Sequence, residues 1–123
     1  MRVLIVEDEA LIATYLEALG VSFGYEVCAI AASAPDAVAS AALHMPDVAL
    51  MDIRLARRTS GIDAAREIYS RQSLRCIFLS ANLDEAVRRT LMPCQPIAFI
   101  DKPVLPVLLR RALQTAEQLG SSG

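Results

Sequence analysis

Short apolar runs alternate along this chain with stretches whose apolar residues recur every three or four positions, the signatures of buried strands and of the helices that cover them. Val3-Leu4-Ile5-Val6 is an unbroken, β-branched-rich run, which suits a strand buried on both faces. From Glu9 to Gly20 the pattern turns helical, with Leu11, Ile12, Tyr15, Leu16 and Leu19 on one predicted stripe and Gly20 or Gly24 able to end it. Glu26 to Ile30 reads as a more polar second strand, suited to an edge. Ser33 can cap a helix over residues 34–44, with Pro35 in its first turn and Pro46 past its end. Val48 to Met51 is a third strand ending at Asp52, and a helix over 62–70 follows Gly61. Cys76 to Leu79 is a fourth strand ending at Ser80, and a short helix over 84–91 closes before Pro93. Ile97 to Ile100 is the fifth, ending at Asp101-Lys102-Pro103. The last helix spans 105–119, with Leu105, Leu109, Ala112, Ala116 and Leu119 on its stripe and Leu108 as an exposed remainder.

Five strand–helix units predict an α/β fold, because right-handed crossovers wind such a chain into a doubly wound parallel sheet with helices on both faces. The expected strand order is 2-1-3-4-5, which sets strands 1 and 3 side by side at the topological switch point. Residues 1–119 are expected to form one domain and residues 120–123 a flexible tail.

Composition narrows the picture. The 123 residues suit a single core, and with 54% hydrophobic but only 5% aromatic residues that core should be aliphatic. Twelve basic against fourteen acidic residues give a formal charge of -2, so there is no electrostatic case for binding nucleic acid or an anionic membrane. No apolar run is long enough to span a bilayer, and the first stops at Glu7-Asp8, too soon for an export signal. Cys28, Cys76 and Cys94 show no zinc or redox spacing. The first two read as small core hydrophobes, and Cys94, in a Pro-flanked loop, as potentially exposed. These features favour the reducing cytoplasm.

Four strands end in polar or charged residues: Glu7-Asp8, Asp52, Ser80 and Lys102. In an open parallel sheet those ends share one edge, where ligands bind, so these residues should converge. Each has a plain structural reading by itself. Asp8 could cap the first helix, Asp52 and Ser80 could close turns, and Lys102 could be a solvated lysine. Together they bring three carboxylates to one place, which raises their pKa values unless a cation compensates. Lys102 supplies one positive charge, and an oxygen-only site without His or Cys suits magnesium rather than zinc.

The segments Val3-Leu4-Ile5-Val6-Glu7-Asp8-Glu9, Asp47-Val48-Ala49-Leu50-Met51-Asp52, Phe78-Leu79-Ser80-Ala81 and Phe99-Ile100-Asp101-Lys102-Pro103 resemble, in order and spacing, the four signature segments of response-regulator receiver domains. That resemblance implies a flavodoxin-like three-layer sandwich and a phosphorelay receiver that takes a phosphoryl group from a phosphohistidine partner. It implies Asp52 as phosphoacceptor; Glu7 and Asp8 with Asp52 and the Arg54 main-chain carbonyl as holders of Mg2+ or Mn2+; and Lys102 as partner of a phosphoryl oxygen. It also implies Ser80 and Phe99 as switch residues, a cis bond before Pro103, and output through the α4-β5-α5 surface. The implied partners are a histidine kinase or histidine phosphotransfer protein and a downstream protein target, with the receiver a monomer or weak homodimer.

Two segments depart from the family pattern. The loop Leu55-Ala56-Arg57-Arg58-Thr59-Ser60-Gly61 is longer and more basic than usual, and reads as a solvated loop before a docking site. Pro93-Cys94-Gln95-Pro96 replaces the small residues usual before the fifth strand. His44, the lone histidine, reads as a solvated helix-end residue. Two other functions compete. One is a phosphorylation-independent interaction module of the same fold, which the full residue set argues against. The other is an enzyme: a haloacid-dehalogenase-type site would want Asp where Arg54 stands, and a flavodoxin a phosphate loop where Glu7-Asp8-Glu9-Ala10 stands.

Overall fold

A computed structural model describes residues 1–55 and 60–121. Its elements are β1 (Arg2–Val6), α1 (Ala10–Ser22), β2 (Glu26–Ala31), α2 (Ala34–His44), β3 (Val48–Asp52), α3 (Gly61–Gln72), β4 (Cys76–Ser80), α4 (Glu85–Leu91), β5 (Ala98–Asp101) and α5 (Pro106–Ser121). All neighbouring strands are parallel, in the order β2-β1-β3-β4-β5, as the sequence predicts. The short apolar runs are central strands because both faces are covered. Val3 and Ile5 pack with Leu16 of α1 and with Leu109, Ala112 and Leu113 of α5. Leu4 and Val6 point the other way, toward Ala37 and Ala41 of α2 and Ala64, Ala65 and Ile68 of α3. Period-two alternation thus divides one strand between two cores.

Local chemistry sets the element ends. Ser33 Oγ accepts from the Asp36 N–H at 3.3 Å, and Pro35 sits in the first turn of α2. Ser60 and Asp84 cap α3 and α4 in the same way. Gly24 ends the turn after α1 with φ +92, a conformation that favours glycine.

Several expectations need correction. On the α1 stripe Leu16 is buried, but Leu11 is 87% exposed and Tyr15 is partly exposed, its hydroxyl donating to the Val104 carbonyl at 2.9 Å. Leu105 and Leu119 likewise fall outside the buried face of α5, and Leu108 is exposed as read. Cys28 is a half-buried residue at a register shift between β1 and β2, its thiol donating to the Val3 carbonyl, rather than a core hydrophobe. Cys94 is 6% exposed: Met92–Cys94 form a 3-10 turn, not an open loop, and Gln95 pins it by donating to the Tyr69 hydroxyl and accepting from Arg75. His44 ends α2, and its carbonyl accepts from the Arg2 guanidinium. Helix α5 continues through Gly120 and Ser121, assigned by the sequence to the tail. Residues 56–59, with Arg57 and Arg58 of the basic loop, and residues 122–123 lie outside the described residues.

Candidate functional site

Strands β1 and β3 are direct neighbours, with Val6 paired to Met51, so the residues that follow them emerge together at the switch point. Glu7 and Asp52 are buried, at 2% and 5% exposure, and Asp8 is exposed beside them. One oxygen from each of these three carboxylates lies within 4.8 Å of the others. β5 delivers the compensating charge. Lys102 Nζ donates to Glu7 Oε1 and to Asp52 Oδ2, each at 2.9 Å. The Lys102–Pro103 peptide bond is cis, and the Lys102 N–H donates to the Ser80 carbonyl at 2.9 Å.

The remaining oxygens are held by backbone. Asp52 Oδ1 accepts from the Arg54 N–H at 3.1 Å, and Glu7 Oε2 accepts from the Glu9 N–H at 3.3 Å. Asp52 therefore does close a turn, but its second oxygen faces Lys102. Asp8 does not cap α1; Glu9 takes the cap position without a side-chain bond. A cleft of about 280 Å³ opens over the cluster, lined by Asp8, Asp52, Arg54, Ser80, Asn82 and Lys102 among others. Ser80 Oγ accepts from the Asn82 N–H at 3.2 Å, so the hydroxyl is engaged in its own turn. Phe99 lies apart from the carboxylates. It is half-buried on β5, paired in register with Phe78 of β4, and the two rings stack at 5.5 Å.

One ammonium faces three carboxylates, and the imbalance shows in the pKa values. Burial, with Asp52 as hydrogen-bond partner and neighbouring charge, pushes Glu7 from 4.5 up to about 7 against the opposing pull of Lys102. Burial works against the charged form of Lys102, but hydrogen bonds and attraction from Glu7 and Asp52 outweigh it, and its pKa rises. The donor set is all oxygen, partly buried and short of positive charge, which fits a small hard divalent cation.

Sequence reasoning missed Gly61. A Cβ there would come within 2.0 Å of the Asp52 carbonyl oxygen and 2.9 Å of Ile53 Cα. The Gly61 N–H donates to the Ile53 carbonyl, and Arg54 pairs with Ser60 as an antiparallel bridge, so the start of α3 lies against the backbone of Asp52. A lone glycine before a helix pattern carries no signal of that approach.

Comparison with known proteins gives a consistent set of likenesses. A family model for the response regulator receiver domain matches residues 3–114. The chain is 38% identical over 102 residues to the transcriptional regulatory protein PdtaR of Mycobacterium tuberculosis, covering 83% of this chain and 49% of that protein. It is 33% identical over 116 residues to the phyllosphere-induced regulator PhyR of Methylorubrum extorquens, covering 94% and 43%. The chain thus spans about half the length of the curated relatives it matches. Among solved structures, the signal receiver domain of a modulated diguanylate cyclase from Desulfovibrio desulfuricans superposes with a TM-score of 0.85 at 31% identity, over 94% of this chain and 91% of that one. A CheY-like receiver domain protein from Methanospirillum hungatei superposes with a TM-score of 0.87 at 25% identity, over 99% and 98%.

Proposed function

The chain belongs to the response-regulator receiver family, and from that membership we propose that Asp52 accepts a phosphoryl group from a phosphohistidine on a kinase or phosphotransfer protein. Receivers are signalling modules rather than enzymes of metabolism. The observation that carries the reading is the shared Lys102 ammonium, bonded at 2.9 Å to both Glu7 and Asp52, with Asp8 completing the carboxylate cluster.

An Asp52 carboxylate oxygen attacks phosphorus in line, an acyl phosphate O–P bond forms, and the P–N bond breaks with its electron pair left on the imidazole. Little covalent chemistry falls to the protein, so the work is positioning and charge neutralisation. The Arg54 N–H orients Asp52 by holding Oδ1. Lys102 is in place to pair with an equatorial phosphoryl oxygen. Glu7, Asp8, Asp52 and the Arg54 carbonyl would hold magnesium or manganese. When bound, that ion supplies the positive charge that the three carboxylates and the incoming phosphoryl group together lack. Slow hydrolysis of the acyl phosphate resets the domain. While it lasts, its oxygens draw Ser80 Oγ out of its turn with Asn82, and Phe99 follows by changing rotamer. The changed surface of α4, β5 and α5 is then read by a downstream protein. A phosphohistidine donor of this kind places the domain in the cytoplasm, and no helix among the described residues is long and apolar enough to cross a membrane.

Mass spectrometry after incubation with acetyl phosphate tests the reading. Wild type should gain one phosphoryl group when magnesium is present and none with a chelator, and Asp52→Asn should gain none. Equal labelling of Asp52→Asn would reject the assignment.

A further inference from the structure

The Arg88 guanidinium carbon of α4 stands 4.6 Å from the centroid of the Phe99 ring, well inside cation–π range. Among the described residues Arg88 forms no ion pair, so this ring is its partner. The ring also stacks on Phe78, which is fully buried and cannot yield. Phe99 thus packs on the buried core through Phe78 on one side, and the contact that a movement of α4 could withdraw is the one from Arg88.

We infer that Arg88 is a positioning residue, a latch that holds Phe99 in its present rotamer and makes helix α4 report on that ring. The inference rests on the proposed roles of Ser80 and Phe99. Helix α4 is suited to the part. Leu91 is its only buried residue, with Val87 half-buried one turn earlier, so its first turn is lightly anchored to the core. The helix follows directly on the Ser80–Asp84 loop, whose Ser80 Oγ is to be drawn toward the phosphoryl group. A shift of that loop carries Arg88 with it. Once the guanidinium leaves the ring face, the unlatched ring is free to turn. Conversely, while Arg88 stays on Phe99, it opposes the loop shift and therefore phosphorylation itself.

An exposed cation–π contact is worth about a two- to fivefold bias between rotamers. The test uses the full chain with 4-fluorophenylalanine at position 99, read by fluorine NMR. Without any phosphoryl mimic, Arg88→Gln should raise the minor Phe99 population about two- to fivefold, and Arg88→Lys should restore most of the wild-type balance. Arg88→Gln should also convert fully at a correspondingly lower concentration of beryllofluoride with magnesium. Its melting temperature should fall by no more than a few degrees, since Arg88 is exposed and only this one contact is lost. A Phe99 signal that is the same in wild type and Arg88→Gln overturns the latch, as does an Arg88→Lys protein no closer to wild type than Arg88→Gln. A wild type that beryllofluoride fails to convert would overturn the proposed function instead, and the latch is then decided by the mimic-free spectra alone.

Discussion

Asp52 and Glu7 share one ammonium, and burial together with the neighbouring Asp52 makes Glu7 harder to ionise. Removing the acceptor's charge should therefore be felt at its neighbour: in Asp52→Asn, the Glu7 carboxyl should titrate well below its wild-type midpoint of about 7, since the raising influence of Asp52 is gone and the lowering one of Lys102 stays. Carbon-13 carboxyl shifts followed through pH would show it, and an unmoved midpoint would mean that burial alone sets the value. Gly61 makes a second residue-scale case. Gly61→Ala cannot keep both the start of α3 and the backbone of Asp52 where they are, since backbone rather than a flexible side chain stands 2.0 Å from the new atom. Overpacking of this kind costs about 1–3 kcal/mol, measurable as a lower urea midpoint, and magnesium affinity should weaken with it. The acids and the lysine were legible in the sequence because each closes a strand, and strand ends must meet. Gly61 was not, because the need for glycine arises from a contact with the strand before it, visible only once the two are folded together.

At the scale of elements, periodicity and capping residues predicted all five α-helices, but the stripes read for α1 and α5 overstated what those two bury. Helix α5, at sixteen residues, is about 24 Å long, whereas a five-residue strand spans about 17 Å. Its buried face is confined to Leu109, Ala112, Leu113 and Ala116, whereas Leu119 in the last turns is exposed and Leu105, also exposed, precedes the helix. Leu11 in α1 is exposed for another reason: the buried face of that helix runs through Ala13, Leu16 and Gly20, and Leu11 lies off it with Thr14, Tyr15 and Ala18. Helix α4 fails in the opposite sense, being too short to hold itself. Seven residues are far below the length at which a helix is stable in water, so its cap and its packing carry it. Asp84 Oδ1 accepts from the Val87 N–H at 2.8 Å. Asp84→Ala should cost about 1 kcal/mol locally, seen as amide exchange about fivefold faster across α4 with little change in the global urea midpoint. Uniform acceleration over the whole sheet would instead show α4 unfolding only with the rest of the molecule.

For the molecule as a whole, the fold class follows from the alternation of apolar runs with helical stretches, while the observed order β2-β1-β3-β4-β5 is one of several that right-handed crossovers allow. The sequence predicts that converging carboxylates repel; what it does not show is that the burial falls on Glu7, and that burial sets how stability responds to pH and to metal. In the folded protein Glu7 holds its proton up to about pH 7, whereas in the unfolded chain it releases it near the ordinary value of 4.5. Between those values the folded state binds more protons than the unfolded one, so unfolding free energy falls as pH rises. The full span amounts to about 3 kcal/mol at 1.36 kcal/mol per unit. Lys102 does not offset it: its raised pKa gives stability that is complete below 10.5 and lost only at higher pH, so it is constant across this window. A divalent cation competes with the Glu7 proton and should stabilise mainly the ionised site. Urea unfolding at pH 5 and pH 8, each with chelator and with magnesium, should therefore show a chelated protein less stable at the higher pH and a magnesium gain concentrated there. A chelated protein that grows more stable from pH 5 to pH 8 would mean that Glu7 is already ionised in the folded state at pH 5, with Lys102 alone able to neutralise the cluster.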